Sequence, residues 1–291
     1  MPVLVIGAHS ALGGLAVAAA LERGAEVVAA LDTTDDGPPP ADGPLTAPGV
    51  RLVRAGPLDG GALRAAAEDC EAVLLLGPPA PGRVAAQNAA VDVAADIGAH
   101  LVKVSCWGPS VGHDSPVPAG RRDWITERYL ARRGIPYTVI GPNRAMQSLL
   151  GDCAAGVREH GVLADPASGR GVSLVDAVDV AAAAAVVLTE SGHEGRSYAL
   201  TGPDAPTYAA LADLLGDLTG RPVRTSEDGS VGGPGAADED ETALRRLYRE
   251  GAGEPVTDDL GQLLGRAPRT AEEFLEAHLH HFLPHDGKAS R

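Results

Sequence analysis

Val3-Leu4-Val5-Ile6-Gly7-Ala8-His9-Ser10-Ala11-Leu12-Gly13-Gly14 is the stretch that decides the fold. Its first four residues are apolar and read as a short buried strand, Val3–Ile6. Gly7 ends the strand, and an Ala/Leu-rich pattern opens at Ala11 and reads as a helix to Arg23. A strand that turns through glycines directly into a helix offers the helix's unbonded N–H groups to a phosphate. Gly7 permits the tight turn, and Gly13 lets the helix lie close on the sheet. Ser10 stands where a second glycine ordinarily lets a pyrophosphate approach the backbone. Its hydroxyl and N–H are expected to serve the phosphate there. Gly7, His9, Ser10, Ala11, Leu12 and Gly13 are therefore the expected dinucleotide contacts. The alternative is an ordinary strand–helix turn with no ligand.

The same alternation continues outward. Strands are expected at Glu26–Leu31, Val50–Arg54, Ala72–Leu76, His100–Ser105 and Tyr137–Ile140. Helices are expected between them at Gly60–Asp69, Arg83–Ile97 and Arg122–Arg133. Strands in strict alternation with helices build a parallel sheet with right-handed crossovers. Their near-continuous apolar character suits a sheet covered on both faces. Thr33 to Pro48, rich in Pro, Gly and Asp, reads as a loop. Beyond Pro142 the pattern changes. Helices are expected at Ala145–His160, Asp176–Leu188 (with Asp176 as cap), Thr207–Thr219, Glu241–Glu250, Thr257–Leu264 and Thr270–Phe282, and short strands at Gly171–Leu174, Tyr198–Thr201 and Pro222–Arg224. Ser226 to Asp240 is rich in Gly and acid and reads as mobile.

Composition narrows the function. A formal charge of −15 repels phosphate backbones and anionic membranes, which argues against nucleic acid as a partner. Three scattered cysteines, Cys70, Cys106 and Cys153, suit a reduced interior better than a disulfide framework. The apolar run Val180–Leu188 is too short to span a bilayer. The expectation is a cytoplasmic chain acting on a small molecule, with a homodimer as an option.

Several residues are candidates for chemistry. Asp32 ends the second strand, where a carboxylate can bond an adenosine ribose and repel a 2′-phosphate, favouring NAD over NADP. It could equally be a solvated turn residue beside Asp35 and Asp36. Neither lysine of the chain, Lys103 or Lys288, follows a tyrosine by four residues, so the Tyr–Lys acid of many reductases is absent. Asp123 and Glu127 share one helical face and could share a proton. The plainer reading, which the common spacing favours, is a surface helix whose acids balance Arg121, Arg122 and Arg128. Ser105 follows the fifth strand at the edge where open α/β sheets bind ligands. Cys106 reads as a small buried thiol, and Trp107 as a pocket wall or a core filler. The histidines His278, His280, His281 and His285 cluster near the end and could hold a metal only fortuitously.

With these residues in view, the chain resembles the NmrA-like family, an atypical branch of the short-chain dehydrogenase/reductases. The likeness rests on the glycine turn Gly7–Gly13 and on Ala72-Val73-Leu74-Leu75-Leu76-Gly77-Pro78-Pro79. It rests also on Gly134-Ile135-Pro136-Tyr137-Thr138-Val139-Ile140-Gly141-Pro142-Asn143 with Met146-Gln147, on Val175–Ala181, on Tyr198–Pro203 and on Val256–Asp259 with Leu263-Leu264-Gly265. The resemblance implies a doubly wound α/β Rossmann domain over residues 1–150. It implies a smaller α/β lobe over residues 151–291, interleaved with that sheet, with a cleft between them. It also implies that Gly77 and Pro78 lie over a cofactor. The chain departs from the family at Ser10, at Asp32 (arginine in many relatives), at Pro57 (usually aspartate) and at Asp123 (histidine in several relatives).

The expected activity is that of an NAD(P)H-binding oxidoreductase, with NAD slightly preferred, acting on an aromatic or quinone-like molecule. Ser105, Asp123, Glu127, Tyr137 and Asn143 are the expected helpers in the active site. Two alternatives stand beside it. One is a tailoring enzyme of secondary metabolism that uses no cofactor, and the other is a regulator that senses dinucleotide without turnover.

Overall fold

The computed structural model describes residues 1–31, 43–56, 59–77, 82–227 and 239–284. Asp32, Pro57, Pro78 and His285 lie outside the described residues, as do most of the 33–48 loop and of the 226–240 segment. By its internal contacts the chain divides into two compact units. The first joins Met1–Pro142 with Ala177–Leu200 and Asp258–Ala267; the second joins Asn143–Asp176, Thr201–Thr257 and Pro268–Arg291.

The first unit is a seven-stranded parallel sheet. Its strands are β1 (Pro2–Ile6), β2 (Glu26–Leu31), β3 (Val50–Arg54), β4 (Ala72–Leu76), β5 (His100–Val104), β6 (Tyr137–Pro142) and β8 (Ser197–Leu200). They lie in the order β3-β2-β1-β4-β5-β6-β8. The order reverses between β1 and β4, so their carboxyl ends open a crevice in which ligands of such sheets bind. The helices are α1 (Ala11–Glu22), α2 (Gly60–Ala67), α3 (Arg83–Ile97), α4 (Pro118–Arg133), α6 (Ala177–Thr189) and α9 (Asp259–Leu264). α2, α3 and α4 pack in succession, while α1 packs against α6 and α6 against α9. With few aromatics, the core is assembled from Ala, Val and Leu: Leu4, Leu63, Val73, Ala90, Val91 and Leu101 are fully buried in one cluster. The apolar run Val180–Leu188 is not a membrane segment but the buried face of α6. No helix among the described residues is long and apolar enough to cross a membrane.

The second unit contains α5 (Asp152–His160), β7 (Val162–Ala164), α7 (Tyr208–Thr219), β9 (Arg224–Ser226), α8 (Glu239–Arg249) and α10 (Ala271–Ala277). β7 and β9 form a separate two-stranded parallel sheet. Thr207 caps α7 as expected, its hydroxyl accepting the Ala210 N–H at 3.1 Å.

Several expected elements differ. The single helix Ala145–His160 is instead a 3₁₀ turn at Met146–Leu149 followed by α5. Gly151, at φ +63°, breaks it in a conformation that L residues rarely adopt. Gly171–Leu174 is not a strand; Gly171 makes one isolated bridge to Thr207. The strand expected at Pro222–Arg224 lies two residues later, because Pro222 has no N–H to donate to a ladder. β7 was too short to leave a periodic signal. Thr270–Phe282 is α10 with a capping box at Thr270, then a separate 3₁₀ turn over Leu279–His281.

Candidate active site

The glycine turn is built as its residues require. Gly7 has φ +84°, and a Cβ on Gly13 would come within 2.2 Å of the Gly7 carbonyl oxygen. Glycine at 13 is thus the condition for α1 to sit against the turn. Ser10 behaves differently from expectation. Its hydroxyl caps α1 by accepting the Gly13 N–H at 3.0 Å and donates to the Gly7 carbonyl at 2.8 Å. Its own N–H donates to the same carbonyl at 3.1 Å. Both donors of Ser10 are spent inside the turn, as expected of a strong N-cap residue. The Ala11 and Leu12 N–H groups, in the first turn of α1, have no helical carbonyl behind them. They face the dipole-positive end of a twelve-residue helix. Ala8, His9, Ser10, Ala11, Gly14 and Leu15 line a cavity of about 260 Å³ beside them. A pyrophosphate therefore fits this turn through two amides rather than through the serine hydroxyl.

Gly77, immediately after β4, is required for a similar reason. A Cβ there would meet Gln87 Nε2 at 2.5 Å and Arg83 Nη2 at 2.6 Å. The Arg83 guanidinium is held over Gly77 by an ion cluster under the β5 loop. Asp123 of α4 is fully buried. Its Oδ1 lies 3.0 Å from Lys103 Nζ and 3.2 Å from Arg83 Nη2. Lys103, in the middle of β5, is also fully buried; it is close enough to Asp123 for an ion pair but not aligned as a hydrogen bond. Asp123 Oδ2 accepts the Cys106 N–H at 2.8 Å. Burial raises the Asp123 pKa, but Lys103 and Arg83 outweigh it and hold the carboxyl below its ordinary value. Asp123 is thus not a surface acid balancing Arg121, Arg122 and Arg128, nor does it share a proton with Glu127. It is a fixed anion that pins the backbone of the Ser105–Cys106 loop.

Glu127, one turn along α4 on the same face, meets the neighbouring residue of the same loop. Its Oε1 accepts the Ser105 hydroxyl at 2.5 Å. Ser105 and Glu127 line a cavity of about 330 Å³ together with Trp124, Tyr198 and Gly141. A Cβ on Gly141 would lie 3.1 Å from the Cys106 carbonyl oxygen, so glycine there lets β6 approach the loop. The loop itself is pinned: Ser115 Oγ donates to the Ser110 carbonyl at 2.6 Å and Arg121 Nη1 to the Ser115 carbonyl at 2.6 Å. Asp259 closes the sheet edge, accepting the Ala199 N–H of β8 at 2.8 Å.

Of the expected catalytic residues, Ser105, Asp123 and Glu127 come together, and Tyr137 does not join them. Tyr137 pairs in register with Leu101. That is four residues before Ser105, roughly 13 Å along the strand toward the opposite sheet edge. Asn143 belongs to the second unit and is fully engaged there: it donates to Ser173 Oγ at 2.8 Å and to the Gly253 carbonyl at 3.1 Å, and accepts the Tyr248 hydroxyl at 2.9 Å. Burial, then the neighbouring Asp123, pushes the Cys106 thiol up to about 12, so it is no nucleophile at neutral pH. Trp107 is buried and Trp124 lines the cavity instead. Among the described residues no three His, Cys, Asp or Glu side chains gather to hold a metal.

Sequence reasoning missed Lys103, Arg83, Trp124 and Tyr198 as parts of this site. Only Lys103 left a usable signal: it is the one charged residue inside the His100-Leu101-Val102-Lys103-Val104 strand, and a charge there demands a buried partner.

No family model matches the chain. Over 245 residues it is 32% identical to the NAD(P)H azoreductase of Xenophilus azovorans, covering 80% of this chain and 84% of that protein. The NADPH-dependent quinone oxidoreductase of Escherichia coli superposes with a TM-score of 0.80 at 26% identity, over 96% of this chain and 99% of that one. The negative transcriptional regulator NmrA, solved with NAD, shares the fold with a TM-score of 0.78 at 17% identity, over 94% of each chain.

Proposed function

The chain belongs to the NmrA-like family of atypical short-chain dehydrogenase/reductases, and from that premise we propose that it is an NAD(P)H-dependent oxidoreductase acting on a small aromatic or quinone-like molecule. One observation carries the reading: the unit that bears the glycine turn also bears an aromatic-walled cavity with the Ser105–Glu127 pair on its wall, at the end of β5.

In this reading the Ala11 and Leu12 amides take the pyrophosphate, with Gly7, His9, Ser10 and Gly13 shaping the turn around it. Gly77 lies over the cofactor, and a carboxylate at position 32 of the sequence favours NAD over NADP. The bound cofactor supplies hydride. Ser105 orients the substrate through its hydroxyl, and Glu127 fixes the direction of that hydroxyl. Asp123 acts through the Cys106 amide as a positioning residue. Trp124 flanks the substrate ring and excludes water.

The test is NAD(P)H oxidation with quinone and azo acceptors. Ser105→Ala is expected to lower kcat/KM by about a hundredfold, a magnitude in the range of a lost positioned hydroxyl. An unchanged rate in that variant, or no acceptor-dependent oxidation by the wild type, would overturn the reading.

A further inference from the structure

The cavity beside Ser105 has a one-sided charge. Two carboxylates, Glu127 and Asp259, line it, and none of its lining residues is basic. Asp259 is bonded to the backbone of β8. Glu127 accepts a single hydroxyl hydrogen bond from Ser105, and no cation pairs with it among the described residues. The buried Lys103 and the partly buried Arg83 are committed to Asp123 and line no part of this cavity. One wall is aromatic: Trp124, whose edge contact with His113 holds it at a centroid distance of 5.2 Å. A volume of about 330 Å³ suits a ligand of two or three fused rings.

A half-buried carboxylate without a counter-ion, beside an indole, is a receptor for positive charge. The carboxylate attracts a cation directly, and an indole face attracts one through its quadrupole. The same surroundings repel an anion, and the chain's charge of −15 adds to that repulsion. We propose that this cavity selects a planar aromatic cation, such as an N-alkylated heteroaromatic ring, over its neutral and anionic counterparts, with Glu127 as the residue that sets the selection. The inference rests on the oxidoreductase reading for its biological meaning, since it names the charge class of that site's substrate. It does not rest on that reading for its physics.

The test is equilibrium binding by calorimetry to the full chain without cofactor. The probes are N-methylquinolinium, neutral quinoline at pH 8 and 2-naphthoate. The cation is expected to bind at least about tenfold more tightly than quinoline, and 2-naphthoate more weakly than either. Raising the salt concentration should weaken the cation alone. Glu127→Gln, which keeps the shape and the hydrogen bond from Ser105, should bring cation and quinoline to within about twofold. Trp124→Leu should weaken both. Circular dichroism and thermal melts confirm that each variant is folded. Equal binding of cation and quinoline by the wild type, tighter binding of 2-naphthoate, no binding of any probe, or a preference that survives Glu127→Gln would each overturn the proposal. NADH and NADPH affinities measured on the same samples separate the two claims. Lost charge preference with intact cofactor binding sinks this inference alone. Intact preference without cofactor binding sinks only the oxidoreductase reading.

Discussion

The buried ion cluster gives the residue scale its sharpest consequence. Asp123 has two cations around it, and removing one partner of a buried pair strands a charge at a cost of about 3–5 kcal/mol. Lys103→Met is therefore expected to lower the unfolding free energy by roughly 3 kcal/mol in urea, with Arg83 compensating part of the loss. The pH dependence follows from the direction of the Asp123 shift. Its folded value lies below the unfolded 3.8, so its contribution is complete above that value and is lost as pH falls through the folded one. Acid unfolding of Asp123→Asn should lack this component. An acid limb identical to that of the wild type would show that Asp123 is not held as an anion. The Cys106 thiol, pushed up to about 12, should resist alkylation at pH 8 in the native state and react once unfolded. The residues that carry these effects were only half legible. Ser105, Asp123 and Glu127 could be found from their place after β5 and along α4. Whether Asp123 faced solvent or the core depended on Lys103 and Arg83, which lie 20 and 40 residues away in sequence.

At the scale of elements, the turn from β1 into α1 is the most constrained. Gly13→Ala forces a methyl group into the Gly7 carbonyl, a backbone atom that cannot step aside. The expected result is a loss of about 2 kcal/mol or more, with weakened cofactor binding, measured by chemical denaturation and titration. Ser10→Gly makes the opposite test. It removes the cap, which costs only a few tenths of a kcal/mol when glycine replaces serine, and leaves the Ala11 and Leu12 amides in place. Cofactor affinity should therefore change less than about threefold, whereas a large loss would return the phosphate contact to the serine hydroxyl. Elements with long apolar runs, such as β2, β4 and α3, were legible to the residue. β7 and β9 were not: three-residue strands are decided by their partner, and the partner is distant in sequence.

For the whole molecule, the parallel sheet and its strand–helix alternation follow from pattern alone, because only helices can connect parallel neighbours and cover both faces. The assignment of α6, β8 and α9 to the first unit comes instead from long-range contacts that no local pattern records. Function at this scale depends on one property, the ability of the β1–α1 turn to accept a dinucleotide. Titration of the purified chain with NADH and NADPH, followed by nicotinamide fluorescence, measures it directly. The account predicts saturable binding at micromolar concentrations, with NADH bound at least as tightly as NADPH. A folded chain that binds neither dinucleotide at millimolar concentration would contradict it.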